Sequence, residues 1–246
     1  MSDGDVEADG DREADGDGEA DGDGKADGDG RSTTDTKPAL RAGVALFNEG
    51  FHLAAHEPWE AAWLPLEAGA DERLFHGLIQ FAAATHHART GNASGAVGTA
   101  EGAIGYLSEL TDPYRGLAME PIRRWCRRIA ADPAATAADD PPTLRIDGEA
   151  IGFEDLDPVA TLAATPAVAA ATDIGNEAVM EAAAEFACEG VGDDEDDDVV
   201  ASGTDPLVDL SFAYLREPDA RPQIAARIAD HVERKRRERD DVAGLF

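Results

Sequence analysis

The sequence predicts an all-α fold, a small helical bundle with a mostly helical C-terminal extension that contains one short hairpin. Three observations support this prediction. Apolar residues have helical spacing, as at Leu40, Val44 and Phe47 near the start of the ordered region. Several such segments are bounded by residues that begin or end helices. The pair Asp147 and Gly148 has the sequence of a tight turn between two short strands.

The predicted elements follow one another from about residue 38. The second helix contains Pro58, which cannot donate to the carbonyl of Ala54, so this helix must kink or restart there. Alternatively, Pro58 stands in a first turn, where proline is tolerated, and Glu57 marks a helix boundary. In order, the predictions are a helix from Pro38 ended by Gly50, a helix over 51–64 closed by Pro65, a helix capped by Asp71 and ended by Gly91, a helix over 92–110 capped by Asn92, the helix "EPIRRWCRRIA", the hairpin "TLRIDGEAI", and helices near 176–188, 206–216 and 221–239.

The chain divides by composition into four parts. Residues 1–36 contain a hexapeptide repeat, "EADGDG" and its variants, with almost nothing apolar to bury, which predicts a disordered acidic tail. Residues 37–132 form the predicted helical bundle domain, and 133–142 the linker. Residues 143–246 are the predicted helical extension, in which the acidic run 191–198 is expected to be a solvated loop.

The charge of the chain is strongly negative. Its 246 residues include 52 acids and 21 bases, for a formal net charge of −31, and three of the bases are lysines. A nucleic-acid partner is not expected, because binding a phosphate backbone requires clustered Lys and Arg. An excess of acids with scarce lysine keeps a surface hydrated in molar salt, so the composition predicts a halophilic source.

The sequence also predicts a cytoplasmic protein without a membrane partner. The N-terminus is acidic where a secretory signal would be basic and then apolar. The longest apolar stretch, 159–171, is too short for a membrane span and contains Pro166. Cys126 and Cys188 are isolated, so neither a disulfide framework nor a thiolate zinc site is indicated.

Two features of the predicted bundle indicate packing or binding surfaces. The fourth helix carries a stripe of small residues, which predicts close packing of a neighbouring helix rather than a phosphate loop, because no strand precedes it. The fifth helix carries arginines that are expected to pair with acids, or alternatively to form a small anion or partner site. These sets are Gly95, Gly98, Gly102 and Gly105, and Arg123, Arg124, Arg127 and Arg128.

Residues 51–63, "FHLAAHEPWEAAW", place polar and aromatic side chains on one face if they form a single helix. The third helix has a similar stripe, and two helices joined by a short loop pack antiparallel, so the stripes would meet. The first stripe is His52, His56, Trp59, Glu60 and Trp63, and the second is His76, Gln80, Ala83 and His87.

A longer motif string spans "FNEGFHLAAHEPWEAAW" and "GLIQFAAATHHARTGNASGA". In this it resembles the family called domain of unknown function 309 over about residues 40–110, which implies a small all-helical domain without an assigned activity. Ala54 stands where the family often has an acid, and His52 and His76 are not typical of it. The matching residues are Phe47, Asn48, Gly50, His56, Glu57, Glu60, Trp63, Gly77, Gln80, His87, Arg89, Gly91 and Asn92.

Two functions follow as alternatives, and neither specifies an oligomeric state. The first is a non-enzymatic interaction or structural domain, with a buried polar seam and faces available to a protein partner. That seam comprises His56, Glu57, Glu60, Gln80, His87 and Arg89. The second is a metal-dependent hydrolase, in which His56, Glu60 and His87 hold a divalent metal ion and Glu57 acts as the catalytic base.

Overall fold

The computed structural model describes residues 35–189 and 205–243, which contain ten α-helices, two single turns of 3₁₀-helix and one hairpin. The predicted tail, except for its last two residues, and the predicted loop 191–198 lie outside the described residues. Since the hairpin holds the only strands described, the predicted all-α fold is confirmed. The elements are α1 (Lys37–Asn48), α2 (His56–Trp63), α3 (Ala70–Arg89), α4 (Ala93–Leu107), α5 (Met119–Ala131), α6 (Pro133–Thr136), β1 (Arg145–Ile146), β2 (Glu149–Ala150), α7 (Pro158–Thr172), α8 (Glu177–Glu189), α9 (Pro206–Arg216) and α10 (Arg221–Ala243), with 3₁₀ turns at Phe153–Asp155 and Pro218–Ala220.

Trp59 lies at the contact between α1 and α2. Its indole is fully buried, and Nε1 donates to the carbonyl oxygen of Leu40 at 3.4 Å. Gly43 makes room for it, because a Cβ at this position would stand 2.7 Å from Cδ1 of Trp59. The rings of Phe47 and Phe81 then join α1 to α3, with their centroids 4.6 Å apart. The centre of the bundle is therefore apolar.

Helix α2 begins later than predicted. Residues 52–55 form turns, and the helix starts at His56 with Pro58 as its third residue. The first N–H groups of a helix have no partner within it, so proline forfeits no hydrogen bond there. His52 lies before the helix, and the prediction that His52 and His56 share one helical face is wrong.

The ends of α3 and α4 correct one predicted cap and confirm another. Asp71 lies in the first turn of α3, whose N-cap is Gly69, and its carboxylate accepts from the hydroxyl of Tyr114 at 2.8 Å. At the start of α4, Oδ1 of Asn92 accepts from the N–H of Gly95 at 3.1 Å, as predicted for a cap.

Helix α7 is absent from the predicted elements. It is rich in alanine, contains Pro166, and contacts α1, α8 and α9. A helix that packs on several sides lacks the single apolar stripe by which a surface helix is recognised. None of the helices in the described segments, this apolar one included, has both the length and the hydropathy needed to cross a membrane.

The predicted linker 133–142 is helical in part. Helix α6 occupies its first residues, and Oδ1 of Asp132 accepts from the N–H of Ala135 at 2.9 Å. Helix α1 packs against α7 on the far side of this linker. The division of the chain into a bundle (37–132) and an extension (143–246) stays a prediction.

The predicted hairpin is confirmed. Strands β1 and β2 pair antiparallel around Asp147 and Gly148, both of which have positive φ, 53° and 88°. Asn48 of α1 holds this region in place. Its amide nitrogen donates to the carbonyl oxygens of Leu144 and Ile151 at 2.9 and 2.8 Å, and its oxygen accepts from the N–H of Leu144 at 2.8 Å.

Candidate functional site: the groove between α3 and α4

Helices α3 and α4 pack closely at Gly77. A Cβ on Gly77 would stand 2.5 Å from Cγ of Leu107 and 3.3 Å from Cβ of Tyr106. The buried face of α4 consists of Ala96, Ala100, Ala103 and Leu107, not of the glycine stripe. The prediction that the α4 glycines provide a packing groove is therefore wrong for Gly98 and Gly105, while Gly95 and Gly102 do make room for side chains of α3.

The α4 glycines instead lie beside polar side chains of α3. A Cβ on Gly102 would stand 3.2 Å from Oε1 of Gln80, and one on Gly95 would stand 3.0 Å from Cδ2 of His87. A Cβ on Gly98 or Gly105 would meet nothing within 4 Å. The polar residues of α3 and the glycines of α4 thus border a shallow groove, which we call the α3–α4 groove. Its members are Glu72, His76, Gln80 and His87 of α3, and Gly95, Gly98, Gly102, Gly105 and Tyr106 of α4.

One end of the α3–α4 groove is built around the carboxylate of Glu72. Its Oε1 accepts from Nε1 of Trp63 at 2.9 Å and lies 3.3 Å from Nδ1 of His76. The imidazole stacks on the ring of Tyr106, with centroids 3.9 Å apart and planes 23° apart. Because a carboxylate only accepts, Nδ1 carries the proton in this contact. Nε2 of His76 has no hydrogen-bond partner among the described residues.

A cavity of about 510 Å³ opens at the same end of the groove. Its only basic lining residue, Arg73, is already paired with Glu109. A surface cavity with an aromatic wall and convergent polar groups is typical of a binding site. Its lining residues are Glu72, Arg73, Gly102, Gly105, Tyr106 and Glu109.

Comparison with known families identifies the segment that carries part of this groove. Residues 40–99 match Domain of unknown function (DUF309). The predicted resemblance is confirmed over this range, while a search of curated proteins found no match. The DUF309 segment contains most of α1, all of α2 and α3, and the first half of α4. His76, Gln80 and His87 lie inside it, whereas Gly102 and Tyr106 lie beyond it.

Sequence reasoning missed two residues of the groove, Glu72 and Tyr106. Glu72 stands four residues before His76 on α3, so the helical repeat that links His76 to Gln80 reaches it when extended backwards by one turn. Tyr106 has no such signal within its own helix, because its role depends on how α4 is aligned with α3.

The six residues of the predicted polar seam do not form one buried row. Glu60 and Arg89 are exposed, Gln80 and His87 lie beside α4, and His56 and Glu57 belong to the start of α2. Nδ1 of His56 contacts the carbonyl oxygen of Leu53, and Nε2 lies 3.8 Å from Glu60. The prediction of a buried seam is wrong, since the interior at this place is filled by aromatic rings.

Glu57, the predicted catalytic base, faces other carboxylates. Its side chain is half-buried, and the pKa of this carboxyl is raised above its ordinary value, first by burial and then by the charge of Glu177 on α8. Glu181, one turn further along α8, and Glu60 raise it further. The carboxylate therefore lies where α2 and α8 bring like charges together.

The predicted metal ligands do not come together as a set. Within residues 35–189 and 205–243, no three His, Cys, Asp or Glu side chains are placed so that they could hold one metal ion. His56 and Glu60 are neighbours on α2, while His87 lies at the end of α3, where Nδ2 of Asn92 is 3.3 Å from its Nδ1. The structure thus corrects the expected triad of His56, Glu60 and His87.

Most of the α5 arginines pair with acids, as predicted. Arg124 and Arg127 lie 3.9 and 3.3 Å from the carboxylate of Glu120, and Arg128 pairs with Asp139. Arg123 differs, because it donates to the carbonyl oxygens of Leu107, the last residue of α4, and of Leu110, which follows that helix. It therefore satisfies backbone acceptors that the helix itself leaves free.

Proposed function

We propose that this chain is a non-enzymatic interaction domain that binds a basic helical segment of a partner protein in the α3–α4 groove. The observation that carries the proposal is the exposure of Gly98 and Gly105. Glycine inside a helix costs about 1 kcal/mol of stability relative to alanine. No contact within the described residues requires these two glycines, whereas a partner helix could approach the bare backbone closely.

The side chain of Gln80 supports the same function. It is half-buried beside Gly102, and its amide has no hydrogen-bond partner among the described residues. An amide supplies two donors and an acceptor, which suits contacts with the polar groups of an incoming segment. The stacked rings of His76 and Tyr106 add a flat apolar surface at the end of the groove.

The charges around the groove favour a basic partner. Glu72 and Glu109 line the cavity, and Glu101 is exposed on the same helix as the glycines. Arg73 and Glu109 neutralise each other by pairing, so Glu72 leaves the lining with one net negative charge. Charge complementarity of this kind steers association and selects partners. The alternative of a hydrolase has no matching observation in its favour, because the residues expected to hold its metal are dispersed.

As part of the same proposal, we place the protein in the concentrated-salt cytoplasm of a halophile. The support is the formal net charge of −31 and the scarcity of lysine. A surface rich in carboxylates remains hydrated when molar salt screens ordinary charge repulsion.

A designed peptide tests the binding function. The probe is a fluorescent 15-residue alanine-rich helix with arginines along one edge, and binding is followed by fluorescence anisotropy in fixed KCl. The variant Gly98→Leu/Gly105→Leu fills the groove without changing the charge of the protein. We expect it to weaken binding at least about tenfold, which corresponds to 1.4 kcal/mol.

The control is Gln223→Leu, which adds an apolar side chain at an exposed position of α10. It should bind the peptide as the wild type does. Equal affinity of the groove variant and the wild type would show that the peptide is held by general charge attraction, and the absence of binding to the wild type would equally reject a basic helix as the partner.

A further inference from the structure

The cavity at the end of the α3–α4 groove combines a carboxylate with an aromatic wall. Glu72 and Tyr106 both line it, and the bare backbone of Gly102 and Gly105 lines it as well. A Cβ on Gly105 would meet nothing within 4 Å, so the cavity is open on this side. Its volume of about 510 Å³ falls within the range of small-ligand sites, roughly 300–1,000 Å³.

We propose that this cavity binds an alkylammonium group, the end of a lysine side chain or a free primary amine. We call the cavity with its four lining residues Glu72, Gly102, Gly105 and Tyr106 the ammonium pocket. The proposal builds on the proposed function, since the ammonium pocket lies at the end of the groove that receives the basic segment. Arg73 and Glu109, which also line the cavity, neutralise each other and leave the charge of Glu72 to attract a cation.

The hydrogen bonds of Glu72 favour an ammonium over a guanidinium. Oε1 accepts from Nε1 of Trp63 at 2.9 Å and from Nδ1 of His76 at 3.3 Å. A carboxylate oxygen has two lone pairs, so these two donors occupy those of Oε1. Oε2 has no partner within the described part of the chain and is free to accept. A guanidinium binds a carboxylate best through two parallel bonds, one to each oxygen, whereas an ammonium is a compact charge that needs one oxygen.

The same two donors hold the carboxylate in one orientation. Trp63 belongs to α2 and His76 to α3, so Glu72 is held from two helices. The ring of His76 packs against that of Trp63, with centroids 4.7 Å apart, and stacks on Tyr106 of α4. The side chain of Glu72 is only 22% exposed, and a hydrogen bond to a charge is stronger where water is partly excluded. A carboxylate that is already fixed also loses little conformational freedom when a ligand binds.

Tyr106 provides the second kind of contact that an alkylammonium group needs. A cation near the face of an aromatic ring is attracted by the negative charge density of that face. The methylene groups of a lysine pack along apolar surface while the charged end stays at a polar group. In the ammonium pocket, the ring of Tyr106 offers that surface next to the carboxylate of Glu72.

NMR of the tryptophan indole N–H groups tests the proposal, with n-butylammonium chloride as the probe at constant ionic strength. The chain has three tryptophans and therefore three indole signals. We expect the Trp63 signal to shift and saturate, because its N–H donates to the carboxylate that the ligand would contact. The signals of Trp59 and Trp125 should stay in place, because their N–H groups donate to Leu40 and Thr85 in the interior.

Three variants assign the binding to the ammonium pocket. Glu72→Gln removes the charge but keeps an acceptor for Trp63, and we expect the affinity to fall at least about tenfold. Tyr106→Leu keeps an apolar side chain without an aromatic ring and should weaken binding about two- to fivefold. The charge control, Asp230→Asn on the exposed face of α10, should bind as the wild type does. Thermal melts confirm that each variant is folded.

A second ligand and a set of peptides complete the test. n-Butylguanidinium should bind more weakly than n-butylammonium, because only one oxygen of Glu72 is free to accept. In the helical peptide probe, one terminal arginine is replaced by lysine or by norleucine. Tighter binding of the lysine peptide than of both others would identify a partner's lysine as the source of the group. Binding of n-butylammonium without that gain would identify a free amine.

The outcomes separate this proposal from the proposed function. A wild type that binds n-butylammonium but no peptide would reject the basic helix as the partner and support the ammonium pocket. The ammonium pocket is overturned if the Trp63 signal does not respond, if Glu72→Gln binds as well as the wild type, or if n-butylguanidinium binds as tightly as n-butylammonium.

Discussion

Replacing Gly77 with alanine tests the packing that holds the α3–α4 groove in shape. The new Cβ would stand 2.5 Å from Cγ of Leu107 and 3.3 Å from Cβ of Tyr106. Since non-bonded carbon atoms are most stable at about 3.5 to 4.0 Å, α3 and α4 would have to separate by roughly 1 Å or displace the buried side chain of Leu107. Either change disturbs a close contact between these two helices.

The magnitude follows from comparison with Gly98→Ala. Both substitutions lie inside helices, so both gain about 1 kcal/mol from the higher helix propensity of alanine. The methyl group at position 98 enters open space, whereas the one at position 77 overpacks the interior, which typically costs about 1–3 kcal/mol. The difference between the two variants removes the common propensity gain and leaves the packing cost alone.

Urea unfolding and thermal melts at fixed KCl measure that difference. We expect Gly77→Ala to melt roughly 2 to 12 °C below Gly98→Ala, because 1 kcal/mol corresponds to about 2–4 °C in a chain of this size. Leu107→Ala should cost less in the Gly77→Ala background than in the wild type, since the added methyl group fills part of the space that the leucine vacates. Equal stability of the two alanine variants would refute the close approach of α3 and α4.

Three further predictions concern the rest of the chain. Asn48→Ala should cost about 2 kcal/mol or more, because it leaves backbone groups of Leu144 and Ile151 unpaired, and chemical unfolding would measure it. Glu57→Gln should stabilise the fold at neutral pH. The raised pKa of Glu57 means that the protonated carboxyl stabilises the wild type below its unfolded-state pKa, and that this stability is lost as the pH rises through the folded-state pKa. Melts over a pH series should therefore show no advantage of the variant at low pH, with the exposed Glu101→Gln as control. Finally, the melting temperature of the wild type should rise between about 0.1 and 3 M KCl, as the Debye length falls from ~10 to below ~3 Å; a flat profile would contradict the halophilic assignment.

Two helices that the sequence predicts correctly, α8 and α9, each begin at a local capping signal. Helix α9 begins after the capping Asp205 with Pro206 in its first turn, and its predicted limits of 206–216 are confirmed. Helix α8 begins next to Asn176, which accepts from the N–H of Val179 at 3.2 Å. Helix α7 also has a cap, Asp157, but contacts with four other helices remove its amphipathic pattern. Caps are local interactions, whereas burial on several sides is a property of the whole fold.

The predicted seam failed for a different reason, which lies in the start of α2. The angles that placed His52 beside His56 assume one continuous helix, and the turn at 52–55 breaks that assumption. Pro58 was the signal of the break. Once the helix begins at His56, the first stripe loses its first member, and Glu60 remains at the surface. The α3 stripe survives because α3 is continuous. Its His76 meets Trp63 of α2, as predicted, with ring centroids 4.7 Å apart, whereas Gln80 and His87 lie beside α4.

The register of α3 and α4 explains which residues share the groove. Gly91, with its φ of 79°, lies in the turn between the two antiparallel helices. Residues equally distant from Gly91 in sequence lie opposite each other: His87 beside Gly95, Gln80 beside Gly102, His76 on Tyr106, and Arg73 paired with Glu109.

This pairing rule relates the polar stripe of α3 to the glycine stripe of α4. The periodicity of either helix alone does not show that the two stripes are neighbours. At two of these positions a half-buried polar side chain of α3 faces a glycine of α4, since a larger residue at Gly95 or Gly102 would crowd it. The same reasoning leaves Gly98 and Gly105 unexplained by α3, because no side chain of that helix reaches them. We therefore expect a binding partner to be the reason for glycine at these two positions.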